Sequence, residues 1–104
     1  LTAVAESMGT LPLDFGLAQN APNPFNKGTA IDFWLPAAGE TDLAIYNLLG
    51  QRVALLVAGH QPAGRSEVVW NGLDLGGRPL AAGVYFYRLR YADQTAIRKL
   101  VLLP

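Results

Sequence analysis

The stretch Gly83-Val84-Tyr85-Phe86-Tyr87-Arg88-Leu89-Arg90-Tyr91 constrains the fold more than any other part of the chain. It is the longest aromatic and β-branched run. Tyr85, Tyr87 and Leu89 fall on one side at period two, and Val84, Phe86, Arg88 and Arg90 on the other. The first side is apolar with phenol tips; the second starts apolar and turns basic. A central strand reads this way when one side lies on a core and the other fades into solvent. Gly83 tolerates backbone angles that other residues resist, so it suits the turn that launches the strand.

The rest of the chain keeps the same period. Residues 29–35 predict a strand with Ile31, Phe33 and Leu35 inward and Ala30, Asp32 and Trp34 outward. Residues 41–47 predict the next, with Leu43 and Ile45 inward and Ala44 and Tyr46 outward; Gly39-Glu40 between them predicts a hairpin. Residues 53–57 are a short apolar run, read as a strand or as one helical turn. Residues 59–64, with two glycines and Pro62, read as a loop. Residues 65–71 predict a strand with Val68 and Trp70 inward, and residues 71–83 a turn-rich connection. After a short turn at Ala92-Asp93-Gln94, residues 95–103 predict the last strand. Its Leu100-Val101-Leu102-Leu103 end is apolar on both sides and is expected to be buried between neighbours. Near the N-terminus, residues 11–17 alternate loosely, and Pro12 confines them to a sheet edge. Pro22 and Pro24, one residue apart, make a rigid corner of residues 19–26, with asparagines to cap freed backbone groups and Phe25 as apolar anchor. About seven short strands and no helical periodicity predict an all-β, Ig-like antiparallel β-sandwich.

Length and composition agree with one such domain. A chain of 104 residues, 51% of them hydrophobic, buries enough surface for a single core. Residues 1–10 have no period, and residues 1–14 read as a linker or the end of an upstream domain; residues 15–104 are expected to form the sandwich. A chain that opens on Leu reads as a piece of something larger. Formal net charge is 0, which argues against nucleic acid or an anionic membrane as partner. Cysteine is absent, so disulfides and thiolate zinc sites are excluded. No apolar run approaches the roughly 20 residues of a helical membrane span, and the first eight residues lack the pattern of a signal peptide.

Candidate chemistry is sparse. His60, the single histidine, lies in a Gly/Pro stretch with no ligand set around it in sequence. Ser7 and Ser66 have no histidine at a telling spacing. Asp74 reads either as a calcium ligand or as an aspartate bonding its own turn. Trp70 is the expected core aromatic. Trp34 has two readings: it is covered by the N-terminal segment, or it stacks on a sugar ring or a partner protein. No catalytic residue, metal site or cofactor is expected.

Three segments in order carry a resemblance: Leu17-Ala18-Gln19-Asn20-Ala21-Pro22-Asn23-Pro24-Phe25-Asn26; Ile45-Tyr46-Asn47-Leu48-Leu49-Gly50-Gln51-Arg52-Val53; and Trp70-Asn71-Gly72 through Gly83-Val84-Tyr85-Phe86-Tyr87-Arg88-Leu89 to Arg98-Lys99-Leu100-Val101-Leu102-Leu103. Together they resemble the C-terminal sorting domain of the type IX secretion system and its relative, the Ig-like domain of the flagellar hook-capping protein. The resemblance implies a non-enzymatic module at the end of a larger secreted protein. Such a module is read by the outer-membrane secretion machinery and in sorting members is removed as the cargo is fixed to surface lipopolysaccharide. It also implies motif positions at Asn23, Pro24, Phe25, Gly83, Tyr85 and Lys99. The chain ends Leu102-Leu103-Pro104 where many members end on a basic residue. The rival readings are a carbohydrate-binding or spacer module of an extracellular polysaccharide-degrading enzyme, resting on Trp34, and a small enzyme.

Overall fold

In the computed structural model, which describes residues 14–104, seven strands form two antiparallel sheets. They are β1 (Gly16–Leu17), β2 (Thr29–Leu35), β3 (Gly39–Tyr46), β4 (Arg52–Gln61), β5 (Gly64–Trp70), β6 (Gly83–Tyr91) and β7 (Gln94–Leu102). The smaller sheet has the order β1-β2-β5 and the larger β4-β3-β6-β7. The Ig-like sandwich is therefore as the period-two pattern predicts, and β6 occupies an interior position in the larger sheet.

The core lies between the sheets. Ile31, Phe33 and Leu35 from β2 meet Leu43 and Ile45 from β3 and Tyr85, Tyr87 and Leu89 from β6. All belong to the sides that alternation marks as inward. Trp70 closes one end of this core, with Phe25 tilted against it at 5.6 Å between ring centres and Tyr85 edge-on at 6.2 Å. The Trp70 indole N–H donates to the Leu73 carbonyl at 3.0 Å, so its polar atom is satisfied where the ring is buried.

Several local expectations are corrected. Residues 29–35 and 41–47 do not form a hairpin; β2 and β3 lie in opposite sheets, and Gly39-Glu40 begins β3 instead of turning the chain. Period two marks which residues face inward, and it is the same whether two strands lie side by side or face each other across a core. The expected loop over residues 59–64 is mostly strand. Gly59, His60 and Gln61 pair with Thr41, Glu40 and Gly39, because a long partner strand overrides the weak strand preference of glycine. Residues 53–57 thus belong to a strand of ten residues, with two register shifts against β3. Ala44 is outward by alternation yet fully buried, its single methyl flanked by its longer register partners Leu55 and Arg88. Of residues 11–17 only Gly16 and Leu17 are seen as strand; residues 11–13, and the proposed linker up to residue 13, lie outside the described residues. The last strand is an edge strand. Leu100 and Leu102 are buried, while Leu103 is exposed.

Candidate functional site

The edge strand β7 is where the sequence motifs converge. It pairs with β6 throughout, from Tyr91 opposite Gln94 to Gly83 opposite Leu102. Its other side would leave backbone groups open, as any sheet edge does. The proline corner takes up those from Lys99 onward. The Phe25 N–H donates to the Val101 carbonyl at 3.1 Å, and the Leu103 N–H donates to the Phe25 carbonyl at 2.7 Å. The Val101 N–H donates to Asn23 Oδ1 at 3.0 Å. Further back, Gln19 Nε2 donates to the Lys99 carbonyl at 2.7 Å, and Arg98 Nε donates to the Leu17 carbonyl at 2.6 Å.

The corner is itself held by a buried polar group. Asn20 and Thr29 are both nearly inaccessible. Asn20 Nδ2 donates to Thr29 Oγ1 at 3.0 Å, and the Thr29 hydroxyl donates to the Pro22 carbonyl at 2.8 Å. Ala21 and Ala30 exchange backbone hydrogen bonds, which tie the corner to the start of β2. The peptide bonds preceding Pro22 and Pro24 are both cis. Phe25, 2% exposed, is the apolar anchor expected of it.

Each motif position has a distinct place. Asn23 and Pro24 are exposed on the corner, and Asn23 holds the edge. Gly83 has φ 150°, a value that side chains rarely adopt, at the entry to β6. Tyr85 is buried and its hydroxyl donates to the Ala81 carbonyl at 2.6 Å, four residues upstream. That contact has the form of the tyrosine corner that fixes the strand entry in Ig-like sandwiches. Lys99 is exposed and sits opposite Phe86 on the outer face of the larger sheet. Asn23, Phe25, Gly83 and Tyr85 thus converge on the end of β7, and Lys99 is the charged group presented beside them. Gln19, Thr29 and Arg98 complete this clamp with no role legible in the sequence, and Asn20, one of the asparagines expected to cap the corner, donates to the Pro22 carbonyl at 3.2 Å. Buried polar pairing between segments far apart in sequence leaves no periodic trace; the placement of Gln19 and Asn20 just ahead of Ala21-Pro22 is the available signal.

The other candidates lie elsewhere. Trp34 is half-buried on the outer face of the smaller sheet, where its ring lies against Gly16, its partner on β1. A methyl group at Gly16 would stand 3.3 Å from the ring. The segment before β2 therefore covers part of the indole. Its neighbours on that face are polar: Arg65, opposite Trp34, pairs with Asp32 at 2.8 Å. His60 is on β4, exposed, 3.9 Å from Glu40. Asp74 Oδ1 accepts the N–H groups of Gly76 and Arg78 at 2.8 and 2.9 Å, which is the turn-bonding alternative. Ser66 is on β5, and Ser7 lies outside the described residues. Among the described residues no three or more His, Asp or Glu side chains gather as a metal site would need.

Comparison with known proteins gives three findings. The model of a family described as the FlgD Ig-like domain matches residues 19–95, well over half of the chain. Among curated proteins none matches. Two solved structures share the fold. Dimeric latent PorU from Porphyromonas gingivalis superposes with a TM-score of 0.67 at 15% identity, over 82% of this chain and 9% of that one. PorZ, an essential surface component of the type IX secretion system of the same bacterium, superposes with a TM-score of 0.56 at 18% identity, over 86% of this chain and 11% of that one. The chain thus spans about a tenth of the length of either.

Proposed function

The chain belongs to the FlgD Ig-like domain family, and from that premise we propose that it is a non-enzymatic module that directs a larger secreted protein across an outer membrane, by a type IX secretion route, and to the cell surface. The observation that carries this reading is the built edge at β7. The corner of residues 19–26, the tyrosine corner and the strand entry all act to hold one edge strand in place, with Lys99 exposed on it. A signal that must be read in a folded state needs such a fixed strand. The fold shared with PorZ supports the same reading. Its partners are the outer-membrane secretion machinery and an upstream catalytic or adhesive domain of the same polypeptide. Most motif positions act on the fold, and the readout falls to exposed groups, Lys99 first.

The test is a reporter fused ahead of the chain in a bacterium that has this secretion system. The intact chain is expected to carry the reporter to the surface. Deleting residues 94–102 is expected to unfold the module and retain the reporter. Lys99→Ala, in a chain that stays folded, is expected to lower surface display. If the intact, folded chain leaves the reporter in the periplasm of a competent host, the export reading fails. A carbohydrate-binding role needs several coplanar exposed aromatics; Trp34 stands among Asp32, Arg65 and Glu67, and among the described residues no aromatic ring pairs with it.

A further inference from the structure

The outer face of the larger sheet combines charge with apolar surface in an unusual way. Across its four strands one row reads Leu55, Ala44, Arg88, Ile97 and the next Arg52, Tyr46, Phe86, Lys99. Arg88 lies at the centre. Its guanidinium sits over the Tyr46 ring at 4.7 Å, and Nη2 donates to the Tyr46 hydroxyl at 2.6 Å. Its Nε is buried with no hydrogen-bond partner. Among the described residues no carboxylate lies within ion-pair distance of Arg88, Arg52 or Lys99. The acids of this face are Asp42 and Glu40; Asp42, opposite Arg90, stands one row from Arg88, outside ion-pair distance, and its Oδ1 is likewise buried without a hydrogen-bond partner. Beside Arg88 stand exposed aliphatics, Ile97 at 60% and Leu48 at 68% exposure. Together with Tyr46, Phe86 and Arg88 they line one hollow.

We propose that this hollow is a docking site for an extended peptide segment of another protein that alternates carboxylates with aliphatic side chains. A carboxylate recruits the Arg88 fork away from Tyr46 and uses the Nε donor that is now unmet, in the two-point geometry that guanidinium and carboxylate share. Arg52 and Lys99, at the two ends of the neighbouring row, attract further acidic positions. The aliphatic side chains cover Ile97, Leu48 and Phe86. An anionic polysaccharide would satisfy the charges and leave those side chains wet, so the apolar content of the hollow favours a protein partner. This site goes beyond the export reading and does not depend on it, since it is defined by binding to the purified chain.

The probe is a ten-residue peptide alternating Glu and Val, titrated into the full 104-residue chain and followed by amide and side-chain NMR shifts. A matched peptide with Gln for Glu, and polygalacturonate, are titrated in parallel. Saturable shifts at Tyr46, Phe86, Arg88 and Ile97 are expected, with at least tenfold weaker binding of the Gln peptide. Arg88→Lys keeps the charge and loses the fork, and is expected to weaken the Glu peptide about tenfold. Ile97→Glu, at an exposed position that leaves the fold intact, is expected to abolish binding. Equal binding of the two peptides overturns the proposal. So do binding of polygalacturonate alone, shifts confined to the Trp34 face, and a dimer of the chain that Ile97→Glu dissociates.

Discussion

Asn20 and Tyr87 stand 67 positions apart in sequence, and the Asn20 N–H donates to the Tyr87 hydroxyl at 2.8 Å inside the protein. The same hydroxyl donates to the Ala18 carbonyl at 2.7 Å. One phenol oxygen thereby satisfies two backbone groups of the N-terminal segment. It fastens that segment to β6, the strand whose pattern first announced the fold. Tyr87→Phe removes the oxygen and leaves a buried N–H without an acceptor. The expected cost is about 1–3 kcal/mol, read from urea unfolding of the two proteins. No measurable change would show that water replaces the hydroxyl.

Tyr85 and Tyr87 also set an alkaline limit. Burial raises both phenols above the usual tyrosine range; in Tyr87 the Asn20 N–H and the Arg98 charge oppose part of that rise. The fold thus favours the neutral phenols. Their contribution is fully present below the unfolded value of about 10 and is lost as pH climbs through the higher folded values. Melting temperature is expected to fall in that range, with tyrosinate absorbance appearing together with loss of β-sheet circular dichroism. Tyr87→Phe is expected to flatten part of this dependence. Melting that holds constant into strong alkali would contradict it.

Trp70 tests the closed end of the core. It is 2% exposed and touches both Phe25 and Tyr85. Trp70→Ala leaves a cavity that these rings cannot fill without moving, at an expected cost of about 3–5 kcal/mol. A loss below about 1 kcal/mol, typical of surface positions, would remove Trp70 from the core.

The proline corner gives a local prediction. It blocks the open side of β7 through Phe25 and Asn23. Phe25→Ala is expected to speed amide exchange at Leu103 and the corner far more than at β3 and β6, whose amides report on global unfolding. Uniform acceleration at all sites would mean that the corner and the core open together.

The sequence made the inward residues legible, because period two places a side chain on a face whatever its partner is. It left the pairing partners open. Leu35 and Leu43 both read as core, and both are, but nothing in the alternation says that β2 and β3 belong to different sheets. Gly59 and His60 read as loop because local composition outweighs a partner strand that sequence does not display. The clamp on β7 was legible in Phe25 and invisible in Asn20 with Thr29, since a hydrogen bond between distant segments has no spacing to detect. The alternation places Arg88 on the side of β6 that fades into solvent. The guanidinium is held on Tyr46, which only the register of β3 against β6 brings near.

The β6–β7 hairpin yields the last prediction. Tyr91 pairs with Gln94, so Ala92 and Asp93 alone form the loop. Ala92 has φ 52°, which makes it the single non-glycine residue among the described residues with positive φ. Two-residue hairpins with positive φ at the first loop position strongly prefer glycine there, because the alanine methyl crowds the following carbonyl oxygen. Ala92→Gly removes that crowding and adds freedom to the unfolded chain, two effects of opposite sign. The first is about 1–2 kcal/mol and the second about half that. A net gain of up to about 1 kcal/mol is therefore expected, visible as a higher urea midpoint with an unchanged slope. Ala92 is exposed and takes no part in the core, so no packing change obscures the result. A destabilised Ala92→Gly protein would mean that the loop does not hold the left-handed conformation in solution.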